Sequence, residues 1–225
     1  MAGQRSTRLR CTAHFEREAR GEGFLYIAGV DEAGRGSLFG SVFAAAVILD
    51  PERPVHGLRD SKQLTPDQRE ELSAEIRERA MAWAVATADA AEIDRINILE
   101  ASRLAMRRAI EKLNPPADYL LVDAVRVDLP LPQQALIKGD ARCQSIAAAS
   151  ILAKVDRDSS MREWDRVYPQ YGLARHKGYP TVEHLEALAL YGAANEHRFS
   201  YAPVREIVSA RGLGLRIPAE AAETR

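Results

Sequence analysis

The chain has 225 residues, 46% of them hydrophobic and 28% charged, which is enough apolar material for one substantial domain with or without a small second one. A formal net charge of −1 excludes a nonspecific polycation but allows a local basic groove beside an acidic site. The two cysteines, Cys11 and Cys143, lie far apart with no C-x-x-C spacing, which speaks for a reducing compartment and against a disulfide framework or a zinc site; no apolar run reaches membrane-spanning length.

Residues 1–12 carry several arginines without the apolar core of a signal peptide, and disorder is expected there. His14 to Arg20 reads as a short helix stopped by Gly21 and Gly23. The run Phe24 to Val30 is apolar, Asp31 and Glu32 sit where it stops, Gly34-Arg35-Gly36 follows, and a second apolar run spans Val42 to Leu49. This pattern predicts two neighbouring buried strands joined by a glycine-rich turn, with the two carboxylates at a strand end. Their mutual repulsion would be offset by a divalent cation. The glycines at 29, 34, 36 and 40 match no dinucleotide fingerprint, and Arg35-Gly36 stands where a P-loop requires Lys then Ser or Thr. From spacing alone, an acidic turn without chemistry reads equally well.

Pro51 and Pro54 mark a loop that leads to Asp60-Ser61-Lys62. Thr65-Pro66-Asp67-Gln68 has the form of a capped helix start, continued by Leu72 and Ile76 at helical spacing. Met81 to Ala88 reads as a strand, and Asn97 to Leu113 as a helix ended by Asn114-Pro115-Pro116. Tyr119 to Val122 is a short buried strand that ends in Asp123, and Ala135 to Ile137 is another. Lys138-Gly139-Asp140 opens a long helix, about Ala141 to Trp164, whose small residues from Ile146 to Lys154 suit close packing. Tyr168 to Pro180 is turn-rich and holds Arg175-His176-Lys177-Gly178-Tyr179. Thr181 caps a helix that runs to Tyr191 and stops at Gly192; His197 to Tyr201 is a polar-aromatic loop, Pro203 starts a last short helix, and the tail after Gly212 is loose. Strands interleaved with helices imply an α/β layer structure, residues 1–165 forming its body and 166–225 a small helical appendage.

Asp31, Glu32, Asp123 and Asp140 thus fall at comparable places. Four carboxylates without a cysteine cluster are hard oxygen ligands, suited to Mg²⁺ or Mn²⁺, and two such ions ~4 Å apart can drive phosphodiester hydrolysis. Asp158 is a fifth candidate that reads equally as a solvated helix end. Tyr179, among basic neighbours, can stack on a sugar or base or cover a small core; His176 and Lys177 can be a solvated turn, and His197 and Arg198 an anchor for the C-terminal helices.

The block Tyr26-Ile-Ala-Gly-Val-Asp-Glu-Ala-Gly-Arg-Gly36 resembles the opening motif of the bacterial ribonuclease HII family, the type 2 ribonucleases H. In the same order come Asp60-Ser61-Lys62, Leu121-Val122-Asp123, Lys138-Gly139-Asp140, Ile146 to Lys154, Arg157-Asp158, His176 to Thr181 and His197-Arg198. The resemblance implies an RNase H-like mixed β-sheet flanked by helices, with a helical C-terminal substrate-binding extension. It assigns metal binding and catalysis to Asp31, Glu32, Asp123 and Asp140. It assigns ribose 2′-hydroxyl contact to Gly34-Arg35-Gly36, phosphate contact to Ser61 and Lys62, and junction sensing to Tyr179, with Lys154, Asp158, His176 and Lys177 as further candidates.

The implied activity is metal-dependent cleavage of RNA–DNA hybrids and of single ribonucleotides in duplex DNA, by a cytoplasmic monomer with no membrane partner. A ribonuclease HIII-like nuclease is one alternative, although such enzymes usually carry an N-terminal domain and only residues 1–23 precede the first strand. A non-catalytic hybrid-binding protein is another, but clustered acids near phosphates would weaken pure binding. Departures from the family are Ser37, Phe39, Ser41, Ala124 and Tyr201, where proline, a small residue, proline, glycine and phenylalanine are usual.

Overall fold

The structure is a computed structural model that describes residues 11–210. The expected loose tail after Gly212 lies outside the described residues, as do positions 1–10 of the expected disordered start. Position 12 corrects that expectation: Thr12 forms a parallel bridge with Cys143, and its carbonyl accepts from the Gln144 amide at 3.3 Å.

Five strands form one mixed sheet: β1 (Ile27–Ala33), β2 (Val42–Ile48), β3 (Ala82–Ala88), β4 (Tyr119–Asp123) and β5 (Gln133–Leu136). Their order is β3-β2-β1-β4-β5, antiparallel between β1, β2 and β3 and parallel from β1 through β4 to β5. The alternation of the central strand divides the core. Ala28 and Val30 face one apolar cluster with Ala44, Ala46, Leu120 and Val122, covered by helix α3 (Ala90–Glu111). Ala33, Ala45 and Val47 face the other, covered by α4 (Gln144–Val167) and α2 (Pro66–Arg79). The short α1 (His14–Gly21) packs beside Ile27 and Leu121.

Three features of the sequence fix where these helices sit. At Gly29, a Cβ would lie 2.0 Å from the Ser145 carbonyl carbon, so only glycine lets the start of α4 approach β1 this closely. The Thr65–Gln68 capping box forms as expected at α2. The long helix begins at Gln144, three residues after its expected start, because Gly139–Ala141 closes a 3₁₀ turn first. Its first turn is capped from outside: buried Glu16 of α1 accepts from the Ser145 amide at 2.7 Å and from the Cys143 thiol at 3.2 Å.

Other boundaries differ from the sequence expectation. β1 continues through Ala33, with Asp31 opposite Ala45 and Glu32 opposite Ala44, so the two carboxylates lie inside the strand rather than past its end. α3 starts seven positions before Asn97, on an Asp89–Glu92 capping box. Asn97, at φ 68°, kinks it, and its side chain accepts from the amides of Leu99 and Glu100, capping the second segment. β5 covers Gln133–Leu136 and leaves Ile137 exposed. The turn-rich stretch before Pro180 contains a 3₁₀ turn at Pro169–Tyr171 and one short α-helix, α5 (Leu173–His176).

The C-terminal helices α6 (Val182–Tyr191) and α7 (Ala202–Ala210) do not stand apart. Leu173, Leu188, Val204 and Val208 share one apolar cluster with Leu38, Phe39 and Met161. The β1–β2 connection therefore keys directly into the C-terminal part of the fold. His197 and Arg198, expected in a polar loop or as anchors, are fully buried and do anchor it.

Candidate active site

The acids meet at one end of the sheet. Val30 of β1 pairs with Val122 of β4, so the next residues, Asp31 and Asp123, are brought side by side by the parallel register. Asp123 also accepts from the Gly139 amide at 2.6 Å, which ties the end of β4 to the 3₁₀ turn bearing Asp140. Across the cleft, the Lys62 ammonium stands 3.6 Å from the Asp140 carboxylate. Asp31 accepts from the Glu32 amide at 2.7 Å, and Glu32 receives the Arg35 guanidinium at 3.3 Å.

Beneath Asp31, the Ser150 hydroxyl of α4 lies 3.0 Å from the Ser61 hydroxyl and favours the charged form of the Asp31 carboxyl. Asp31 is buried, and that burial together with the charges of Glu32 and Asp123 holds its carboxyl well above the usual range. Burial raises Glu32 as well, partly relieved by Arg35, and burial and Asp60 raise Asp140.

A cleft of about 390 Å³ unites Asp31, Glu32 and Asp123 with Gly34-Arg35-Gly36, Ser61, Lys62, Lys154 and Tyr179. Asp140 adjoins it through Lys62. Asp158 is buried and paired with Lys154 at 2.7 Å, so it is no solvated helix end. Burial lowers the Lys154 ammonium from its ordinary value, against the opposing pull of Asp158. His176 and Lys177 are turned into the protein: His176 bonds the Tyr171 carbonyl at 2.7 Å, and the Lys177 ammonium caps the Ala174 carbonyl.

The glycine turn is held from behind by two arginines that are fully buried. Gly34 has φ 97°, and a Cβ there would lie 2.0 Å from Arg157 Nε. Arg157 in turn donates to the Lys177 carbonyl at 2.8 Å and lies 5.3 Å from the centre of the Tyr179 ring. Arg198 donates to the carbonyls of Arg35 and Gly40, each at 2.9 Å. The Tyr201 hydroxyl donates to the same Arg35 carbonyl at 2.5 Å, a bond the phenylalanine usual in the family could not make.

On the open side, a Cβ at Gly36 would lie 3.8 Å from the edge of the Tyr179 ring, so turn and ring face each other across the cleft. Of the other departures, Ser37 and Phe39 are accommodated, whereas Ala124 holds a strained backbone conformation. Ser37 is buried and its hydroxyl donates to the Phe39 carbonyl at 2.9 Å; Phe39 packs edge-on against Trp164, Tyr168 and His197; Ala124 takes φ 55°, a conformation that favours glycine.

Sequence reasoning missed Ser150, which sits in a small-residue run that reads as packing, and the support that Arg157 and Arg198 give to the glycine turn, because their blocks show nothing of the distant backbone they bind.

Among the described residues, no three histidine, cysteine or acidic side chains converge into a ready cage for an ion. Each of the four acids is instead engaged by an amide or cation of the chain. The donor set nonetheless fits a hard divalent cation. It offers only oxygens, Asp31 and Asp140 are buried, and the carboxyls of Asp31, Glu32 and Asp140 are raised by burial and by neighbouring acids, a state that a cation relieves.

The family model described as Ribonuclease HII matches residues 28–204. A ribonuclease HII from Solibacter usitatus is 61% identical over 198 residues, covering 88% of this chain and 87% of that protein. Among solved structures, the ribonuclease H2 of Pyrococcus horikoshii OT3 superposes with a TM-score of 0.70 at 28% identity, covering 84% of this chain and all of that one (100%). Bst-RNase HIII in complex with Mn²⁺ superposes with a TM-score of 0.64 at 20% identity over 85% of this chain and 72% of that one, a likeness of fold.

Proposed function

Because the chain belongs to the ribonuclease HII family of RNase H endonucleases, we propose that it hydrolyses the RNA strand of RNA–DNA hybrids and cuts 5′ to single ribonucleotides embedded in duplex DNA. The observation that carries this reading is the opposition of Gly36 and Tyr179 beside the buried carboxylates, which puts a sugar-reading surface next to a hydrolytic one. RNA differs from DNA at a given site by its 2′-hydroxyl, and a glycine backbone can approach it with no side chain between. The Tyr179 ring packs on the next sugar, where a deoxyribose leaves room and a 2′-oxygen would clash.

Asp31, Glu32, Asp123 and Asp140 would hold two divalent cations, Mn²⁺ or Mg²⁺; the Mn²⁺ complex of the HIII structure supports this choice of ion class. Bound there, such ions supply an activated water and neutralise the developing phosphate charge. Lys62 and Lys154 line the cleft and attract the backbone phosphates, while Ser61 and Ser150 hold the floor under Asp31. Cleavage leaves a 5′-phosphate and a 3′-hydroxyl.

The cellular role is removal of misincorporated ribonucleotides, by a monomer in the cytoplasm, with residues 166–225 as the substrate-binding extension. No described helix is long and apolar enough to cross a membrane. The test is a labelled duplex with one ribonucleotide, incubated with Mg²⁺, Mn²⁺ or EDTA. Incision 5′ to the ribonucleotide with either ion and none with EDTA is expected. Tight binding without incision under every condition would make the protein a hybrid-binding module.

A further inference from the structure

Behind Tyr179 stands a chain of imidazoles that the proposed reaction does not use. His176 and His184 stack with ring centres 4.6 Å apart and planes inclined by 17°, and His184 Nε2 lies 3.2 Å from His197 Nε2. His184 and His197 are fully buried, and His197 is boxed edge-on by Phe39 and Tyr171, each 4.8 Å away.

The partners dictate where each proton sits. His197 Nδ1 lies 2.9 Å from the Ala194 amide, which can only donate, and 3.3 Å from the Ala194 carbonyl; the shorter contact assigns the His197 proton to Nε2, from which it donates to His184. His184 must then carry its own on Nδ1, which faces the Tyr179 carbonyl at 3.1 Å. His176 donates from Nε2 to the Tyr171 carbonyl at 2.7 Å and accepts the Gly178 amide on Nδ1 at 3.2 Å. The Gly178 amide and the Tyr179 carbonyl are therefore both bonded to imidazoles; the carbonyl also accepts from the Thr181 amide at 2.8 Å, and the Tyr179 amide donates to the His176 carbonyl at 3.1 Å. Only the ring is left facing the cleft.

The same segment is locked to the glycine turn, because the Gly178 carbonyl accepts from the Leu38 amide at 2.8 Å. Burial holds His184 down at about 4 and His197 at about 3, so the neutral arrangement persists at physiological pH.

We propose that His184 is a positioning residue: oriented by His197, it pins the Tyr179 carbonyl and so sets the ring over Gly36, and with it the preference for a lone ribonucleotide over a long hybrid. This rests on the reading of Tyr179 as the contact to the deoxyribose that follows the ribonucleotide. If the pair merely filled the C-terminal core, its loss would weaken both reactions alike.

The experiment measures kcat/KM on a lone-ribonucleotide duplex and on a long hybrid for His184→Leu, His184→Gln, His184→Asn, Tyr179→Ala and the double variant His184→Leu/Tyr179→Ala. Asn places an amide where Nδ1 stood, whereas Gln reaches only toward His197. Leu and Gln are expected to lower the lone-ribonucleotide rate by roughly 5- to 30-fold, the weight of one buried hydrogen bond, with a smaller loss on the hybrid. Asn should restore the preference, and Leu should add nothing once Tyr179 is gone. Equal losses on both substrates, additive losses in the double variant, or Gln outperforming Asn would overturn the proposal.

If Tyr179→Ala alone leaves the preference intact, the reading of Tyr179 falls and takes this inference with it. If Tyr179→Ala abolishes the preference while His184→Leu keeps it, the inference alone falls. Should the Leu variant not fold, nitrogen NMR of the unsubstituted protein decides: His184 protonated on Nδ1 upholds the proposal, and on Nε2 overturns it.

Discussion

The two glycines that bracket Arg35 do different jobs, and alanine at each should show it. At Gly34 a methyl meets two costs. The backbone holds φ 97°, which a residue with a Cβ adopts at ~1–3 kcal/mol. The new carbon would also lie 2.0 Å from Arg157 Nε and 2.5 Å from its Cδ. Arg157 is fully buried and bound to the Lys177 carbonyl, so moving it costs ~1–3 kcal/mol of overpacking and strains a hydrogen bond made by a charged donor.

Gly34→Ala should therefore lose ~3–6 kcal/mol, a large part of the total for a domain whose stability is of the usual order. At Gly36 a methyl meets only the edge of the Tyr179 ring at 3.8 Å, an ordinary contact, and the cost should stay below ~1 kcal/mol. Urea denaturation followed by circular dichroism measures both, and incision of a lone-ribonucleotide duplex measures what remains. Gly36→Ala is expected to fold normally and cut poorly, because its methyl enters the space where the sugar must lie. A Gly34→Ala variant within 1 kcal/mol of the parent, or a Gly36→Ala variant equally unstable, would refute this account of the turn.

Three further outcomes are expected. Asp31→Asn and Asp123→Asn should each leave less than about a tenth of the turnover, since the loss of one charged ligand is not repaired by its neighbours. Because the Asp31 carboxyl is raised in the fold, its ionisation lowers stability as pH climbs above the ordinary carboxylate range; Asp31→Asn should melt no lower than the parent at neutral pH, an advantage that disappears in acid. The raised carboxyls of Asp31, Glu32 and Asp140 must release protons when a cation binds, so calorimetric affinity for Mn²⁺ should rise with pH, and a flat profile would count against a shared site.

A fourth outcome concerns the buried imidazoles, depressed to about 4 and about 3, which bind protons more readily in the unfolded chain. Their contribution is intact above pH ~6.5 and lost as pH falls toward those values, so the unfolding free energy from urea titrations should fall by ~2–4 kcal/mol more between pH 7 and pH 5 in the parent than in the double variant His184→Gln/His197→Gln, a comparison in which the opposing effect of the raised carboxyls cancels; equal changes in the two proteins would show that the pair is already charged or solvated.

What could be read from the sequence was local. The turn between two apolar runs, the capping box at Thr65 and the stop at Gly192 depend on neighbours within four residues, and each stands as expected. Asp31, Asp123 and Asp140 could be placed near strand ends for the same reason, while their meeting depends on the β1–β4 register, which no local pattern encodes. The extension of β1 through its two acids escaped notice because charge normally ends a buried strand; here alanines on β2 pair across from them. Arg198 reads equally as part of a polar loop and as an anchor of the C-terminal helices, because the carbonyls of Arg35 and Gly40 that bind its buried guanidinium lie more than 150 positions away. The first turns of α3 carried a visible Asp89–Glu92 signal that the kink at Asn97 obscured.

The bonds from Arg198 and Tyr201 to the Arg35 carbonyl have a consequence for how the molecule opens. Two of the four acids proposed to act in catalysis, Asp31 and Glu32, belong to the central strand, the last element expected to exchange its amides with solvent. The turn that follows them leans on a segment from the far end of the chain. Its protection should track that of α6 and α7 rather than that of β1. A partial opening that releases only the C-terminal helices would leave the sheet and its carboxylates intact, yet strip the support from the surface proposed to recognise ribose. Such a species would keep its fold by far-ultraviolet dichroism and lose its discrimination first.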